Sequence, residues 1–225
     1  NTLIKRNNKK DLFMKYKLTP ELSSDDWNEF CSRFHFSTTD LPHVQAIYLA
    51  LFPLVNSYAY YSLEQDLDSV SAAHYAYGFV TLRNGVDEMS ELYLSHEQVN
   101  EAYIVDCLSL MILSKAYEEF ADLVEKQSGL FLNELSFLGD IYSLDLLPQI
   151  YDHLVPDDIH LTEGHMIRPL KTAALILLLD KKPHTNIRQL CNTCATCRNL
   201  SCPSRKIPSK SLPHTYGAIQ IFNVK

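Results

Sequence analysis

Apolar positions fall into two rhythms along this chain, one with the 3.6-residue period of a helix and one alternating as in a strand. Ser23-Ser24-Asp25-Asp26 reads as a helix start, followed by Trp27, Phe30, Cys31 and Phe34 at helical spacing. Val44, Ile47, Tyr48, Leu51 and Phe52 predict a second amphipathic helix within residues 40–55, stopping near Pro53. Tyr58 and Tyr60 then alternate with small residues. Tyr75, Tyr77 and Phe79 do the same before Val80-Thr81-Leu82. Both segments predict strands with one aromatic face. Arg83-Asn84-Gly85 breaks the second strand, and Val86, Met89, Leu92 and Tyr93 restart a helical pattern.

The strongest helix signal runs from Asn100 to Lys126. Its first half, Ala102 to Leu113, is apolar nearly all round and belongs at the centre of a domain. Its second half is amphipathic, and Ser128-Gly129 ends it. Leu146 to Leu154 predicts a short helix closed by Pro156. Ile159 to Leu161 and Leu170 to Leu179 predict strands, the latter buried on both faces. Lys181-Lys182-Pro183 ends the regular structure. Strands and helices mix without a regular β–α alternation, so the expected fold class is α+β. The organisation read from this pattern is a mobile polar lead-in over 1–20, a core over 21–182 and a cysteine-rich segment over 183–225.

Composition changes this picture in few places. The chain has 225 residues, 46% hydrophobic and 21% charged, which is enough to bury a core without covalent staples. Only six glycines are present, and no G-x-G-x-x-G or P-loop pattern occurs. The formal net charge is −7, which argues against a nucleic-acid partner, because phosphate binding needs a cationic surface. The basic clusters at the two ends (Lys5, Arg6, Lys9, Lys10 and Arg198, Arg205, Lys206, Lys210) read as solvated. The longest apolar run, Ala173 to Leu179, is far short of the ~18 residues a membrane span needs. The first residues carry no apolar stretch of the signal-peptide kind. The expected location is cytoplasmic.

The cysteines carry the sharpest chemistry. Cys191, Cys194, Cys197 and Cys202 read C-x-x-C-x-x-C-x(4)-C, with Pro203 directly after the last. Short turns can bring such thiolates onto one centre. Tetrahedral zinc and a [4Fe–4S] iron–sulfur cluster both take four cysteines. Three-residue steps between three successive cysteines favour the cluster over zinc. Cys31 and Cys107 sit in apolar helical contexts and read as core residues. Asp106 is an acid within the apolar half-helix. It is either a ligand-facing acid or a hydrogen-bonded structural carboxylate, and the second reading is preferred. Glu163 and His165 stand two apart at a strand end, where an acid and an imidazole suit proton transfer. No catalytic residue is assigned.

Three blocks of the chain resemble the activation domain of cobalamin (vitamin B12)-dependent methionine synthase and its small stand-alone relatives. They are Phe79-Val80-Thr81-Leu82 with Val86-Asp87-Glu88; Glu101-Ala102-Tyr103-Ile104-Val105-Asp106 running into Ala116-Tyr117-Glu118-Glu119-Phe120-Ala121-Asp122; and Leu161-Thr162-Glu163-Gly164-His165-Met166-Ile167-Arg168-Pro169. Their order and spacing hold over residues 79–180. Stand-alone relatives often end in a motif similar to Cys194, Cys197, Cys202 and Pro203.

The resemblance implies a twisted antiparallel sheet flanked by helices. It also implies S-adenosylmethionine (AdoMet) presented to an inactive cobalamin, with an electron-donor protein supplying an electron. Cobalamin would be met only through a partner, a corrinoid-binding protein or methionine synthase itself. Glu118 falls where the family glutamate contacts the AdoMet ammonium, and Glu118, Asp106 and Glu163 are the candidate cofactor-binding residues. The family's Arg-x-x-x-Gly-Tyr stretch is altered. The register chosen puts Asn133 at the arginine and Phe137-Leu138 at Gly-Tyr. Without that guanidinium, AdoMet affinity is expected to be weak or absent.

Overall fold

The structure is a computed structural model that describes residues 2–3, 13–64, 74–139 and 142–183. A six-stranded sheet organises it, in the order β1-β2-β3-β4-β8-β5. The strands are β1 (Thr2–Leu3), β2 (Phe13–Lys17), β3 (Tyr58–Glu64), β4 (His74–Thr81), β5 (Phe131–Phe137) and β8 (Thr172–Asp180). Every pairing is antiparallel. A two-stranded ribbon of β6 (His160–Leu161) and β7 (Ile167–Arg168) stands beside it. The strands β3 and β4 approach closely at Gly78, where a Cβ would lie 2.1 Å from the Tyr60 carbonyl oxygen.

Alternation along the strands gives the sheet two apolar faces, and each carries its own core. One face presents Ala59, Tyr61, Val80, Leu175 and Leu177. Against it packs α4 (Val99–Ser128), through Leu108, Ile112, Ala116 and Phe120. The helices α1 (Ser24–Phe34), α2 (Leu41–Leu51) and α3 (Asn84–Ser95) pack around α4. A single 3-10 turn over Phe52–Leu54 follows α2, where Pro53 blocks continuation. The other face presents Tyr60, Tyr77, Phe79, Ala174 and Ile176. It is covered by α5 (Leu146–Leu154) through Leu147, Ile150 and Leu154. No described helix is long and apolar enough to cross a membrane.

The fold is α+β with an antiparallel sheet and flanking helices, as the sequence predicts. Strands β1, β2, β5 and β7 go beyond the expectation, and β2 and β5 matter most. Phe13–Lys17 was expected within a mobile lead-in, but it is β2, paired residue for residue with β3 from Phe13↔Ser62 to Lys17↔Tyr58. Its Phe13 side chain is buried in the second core, which outweighs the lysines around it. The segment β5 was not read as a strand. It pairs with β8 around a bulge, where Asn133 has no partner between Leu132↔Leu179 and Glu134↔Leu178.

Candidate functional site

Two adjacent rows of side chains cross the sheet face beneath α5. One runs Tyr58, Thr81, Thr172 and the next Tyr60, Phe79, Ala174. The β3 end of these rows is polar and charged. Tyr58 lies under two cations, with Lys15 Nζ 4.8 Å and the Arg83 guanidinium 4.4 Å from its ring centre. Lys15 pairs with Asp157 at 2.8 Å, and Arg83 pairs with Asp158. The Tyr60 hydroxyl donates to Asp157 Oδ1 at 2.5 Å and also to Asp158. Burial alone would raise the Asp157 pKa, but hydrogen bonds from Lys15 and Tyr60 outweigh it and hold the carboxyl below its ordinary range. Burial pushes the Tyr60 phenol up, and the Asp157 charge adds to that. This network ties the loop after α5 to β2, to β3 and to the junction that follows β4. Its partners lie as far as 142 residues apart in sequence, so nothing local announces it.

At the β8 and β5 end the same face is apolar. A cavity of about 210 Å³ is lined by Phe137, Leu138, Leu144, Leu147, Ile167, Thr172, Ala173 and Ala174. It is smaller than the ~300 Å³ at which small-molecule sites begin. Its one hydroxyl, that of Thr172, donates to the Thr81 hydroxyl at 2.7 Å. Among the described residues no charged side chain lines it. Thr172 and Ala174 sit two strand spacings from Tyr58 and Tyr60, or about 10 Å.

The candidate cofactor-binding residues do not converge. Asp106 and Glu118 both lie on α4, but twelve residues apart, which is about 18 Å of helical rise. Asp106 is not an interior acid as its neighbours suggested. It is half exposed on a narrow outward stripe with Tyr103, and it pairs with Lys171. Glu118 pairs with Lys115 at 3.3 Å, and Lys115 also holds the buried Asp26 at 2.7 Å. Burial would raise the Asp26 pKa, but Lys115 and Ser23 lower it further than burial raises it. Glu163 is exposed at the tip of the β6–β7 ribbon, which closes through Thr162 N–H to Met166 O at 2.9 Å. His165 beside it has φ 57°.

Cys107 is buried and Cys31 partly so, as expected for core thiols, and burial pushes the Cys107 thiol up. Cys191, Cys194, Cys197 and Cys202 lie outside the described residues. Among the described residues no group of three His, Cys, Asp or Glu side chains gathers as metal ligands.

The resemblance admits a second register. The Asn133 alignment leaves the family glycine missing, yet Gly139 follows β5 with φ 90°, a conformation that favours glycine. Placing the motif glycine there puts Leu135 at the arginine, and Leu135 is fully buried in the α4-side core. Neither register supplies a guanidinium.

No family model matches the sequence, and a search of curated proteins finds no match. Among solved structures, the chain is similar to the MetH reactivation domain bound to AdoHcy. The TM-score is 0.54 at 8% identity, over 79% of this chain and 81% of that one. The fold is that of the reactivation domain. Its α+β layout of an antiparallel sheet with packed helices matches that neighbour.

Proposed function

We propose that this chain is an accessory protein of cobalamin-dependent methyl transfer, docking on a corrinoid-binding protein such as methionine synthase. What carries the reading is the correspondence of fold over about four fifths of both chains. The sequence blocks at residues 79–88, 101–122 and 161–169 support it, because they fall on β4–α3, α4 and the β6–β7 ribbon in the order that the resemblance requires. In this reading the AdoMet site is degenerate. Glu118 is engaged by Lys115, no arginine stands in the β5 stretch, and the described lining of the nearby cavity offers no charge to meet an amino-acid end. Cys191, Cys194, Cys197 and Cys202 would hold an iron–sulfur cluster or zinc, on the chemistry of the donor set alone. A bound cluster would supply one-electron chemistry of the kind that cobalamin reactivation consumes, in concert with an electron-donor protein. The chain's own part is binding and placement.

The second reading is a non-catalytic binding module whose C-terminal segment is fixed by zinc. The uncharged cavity favours it as much as the first. Anaerobic purification with metal analysis separates the two: an iron–sulfur protein is brown and absorbs near 400 nm, whereas a zinc protein is colourless. Calorimetric titration tests the degenerate site. Loss of a bidentate carboxylate contact costs about 2–3 kcal/mol, or about 30- to 150-fold in affinity. No isotherm is expected at tens of micromolar AdoMet or AdoHcy. Low-micromolar binding of either would restore an ordinary AdoMet site. Failure to associate with any methionine synthase or corrinoid protein would remove the methyl-transfer reading itself.

A further inference from the structure

The helices α3 and α4 form an antiparallel hairpin whose charge is one-sided. Residues 84–114 contain Asp87, Glu88, Glu91, Glu97, Glu101 and Asp106 and no Lys or Arg, so this segment carries −6 of the chain's formal −7. Three of these acids are engaged by the body of the protein. Asp87 accepts from the Leu170 N–H at 2.7 Å, Asp106 pairs with Lys171, and Glu101 lies 3.5 Å from His43. The other three, Glu88, Glu91 and Glu97, are exposed and form no ion pair among the described residues.

Between these acids the hairpin exposes large apolar side chains. Leu92 is 58% exposed, Leu94 52%, Val99 65% and Tyr103 50%. Val99 and Tyr103 are four residues apart and share one side of α4, while Leu92 and Leu94 lie in the last turn of α3. Nearly every residue from 91 to 100 is exposed, so the tip projects from the body rather than lying on it. It is nonetheless tightly built. His96 and Gln98 N–H groups bond to Tyr93 O at 3.1 and 2.9 Å, and Glu97 N–H bonds to Leu94 O at 3.1 Å. The Ser95 hydroxyl donates to Leu92 O at 2.8 Å. Glu97 holds φ 60°, a left-handed conformation that is unfavourable for an L residue. The turn thus keeps a carboxylate where glycine would fit more easily.

We propose that this tip is a docking surface for a protein partner whose contact face is apolar and rimmed by Lys or Arg. Leucines and an aromatic ring give the contact its buried centre, and the unpaired glutamates select the partner's charge. The preformed turn reduces the ordering that binding would otherwise require. Charge complementarity decides against other occupants. A second copy of this chain would set Glu91 and Glu97 against their own kind, and nucleic acid or an anionic membrane would be repelled. The inference stands on the hairpin alone and does not depend on the methyl-transfer reading.

The test is an amide NMR titration of the isotope-labelled full chain. The probes are a synthetic amphipathic helical peptide of leucine and lysine and its leucine–glutamate counterpart. The lysine peptide is expected to shift resonances centred on residues 91–103, and the glutamate peptide to leave them unmoved. The variant L92S/L94S/V99S should weaken the lysine peptide at least about tenfold with the remaining spectrum unchanged, since all three positions are exposed. The variant E91K/E97K should reverse the preference between the peptides. Absence of binding, shifts centred on another face, equal response to both peptides, or self-association through the tip in sedimentation would each overturn the proposal.

Discussion

Arg83 sits at φ 64° and ψ −173°, a backbone state in which glycine is the usual occupant. The strain is of order 1–3 kcal/mol, so the side chain must return more than it costs. It does so through Asp158 and the face of Tyr58, both partly shielded from water. The substitution R83A keeps most of the backbone strain and leaves the Asp158 carboxylate without its cation, held by the Tyr60 hydroxyl, so it should destabilise the fold by about 2–3 kcal/mol. The substitution R83G removes the same cation but relieves the backbone, and should cost about 1 kcal/mol less than R83A. Urea unfolding of the two variants measures the order. An R83G protein less stable than R83A would mean that the backbone at this position is unstrained. None of this is readable from Arg83-Asn84-Gly85, which signals a strand end and a helix start but not the acid from residue 158 that fixes the arginine.

The long helix α4 was legible because its apolar run and its Ser128-Gly129 stop are local features, and Gly129 does hold the left-handed cap with φ 68°. Its outward stripe was hidden. Tyr103 and Asp106 face water, and Leu110 is only partly covered, so two of the three exposed positions carry apolar residue types. A sequence reading that counts residue types therefore closes the helix all round and turns Asp106 into an interior acid. The strand β5 was hidden for a different reason. The bulge at Asn133 shifts the alternation, so that Leu132 and Leu135, three apart, both face α4. No period-2 pattern survives that shift. The same distinction between buried and projecting leucines yields a stability contrast. Leu108 is fully buried between α4 and the sheet, so L108A should cost about 3 kcal/mol. Leu94, at the hairpin tip, should change unfolding free energy by no more than about 0.5 kcal/mol as L94A. A large loss at Leu94 would make the tip a structural element instead of a surface held ready for contact.

Across the whole molecule, chain order and sheet order diverge at one decisive place. The last long strand, β8, lies inside the sheet and pairs with both β4 and β5. It also supplies Leu175 and Leu177 to one core and Ala174 and Ile176 to the other. Both faces of the sheet are therefore complete only when residues through Asp180 are in place, and among the described residues both are covered before Lys181-Lys182-Pro183. A core of this size holds without a metal. The four-cysteine segment begins eleven residues after Asp180. The double variant C194S/C197S should thus lose its metal, read by elemental analysis. Its thermal midpoint should move by less than about 2 °C, below the shift that ~1 kcal/mol produces in a domain of this length. Limited proteolysis should quicken only beyond about residue 185, where the thiolate site would anchor the segment. Retained metal would place the site on other residues. Collapse of the midpoint by many degrees would mean that the cysteine segment completes the fold, and that two closed cores on one sheet are not sufficient for it.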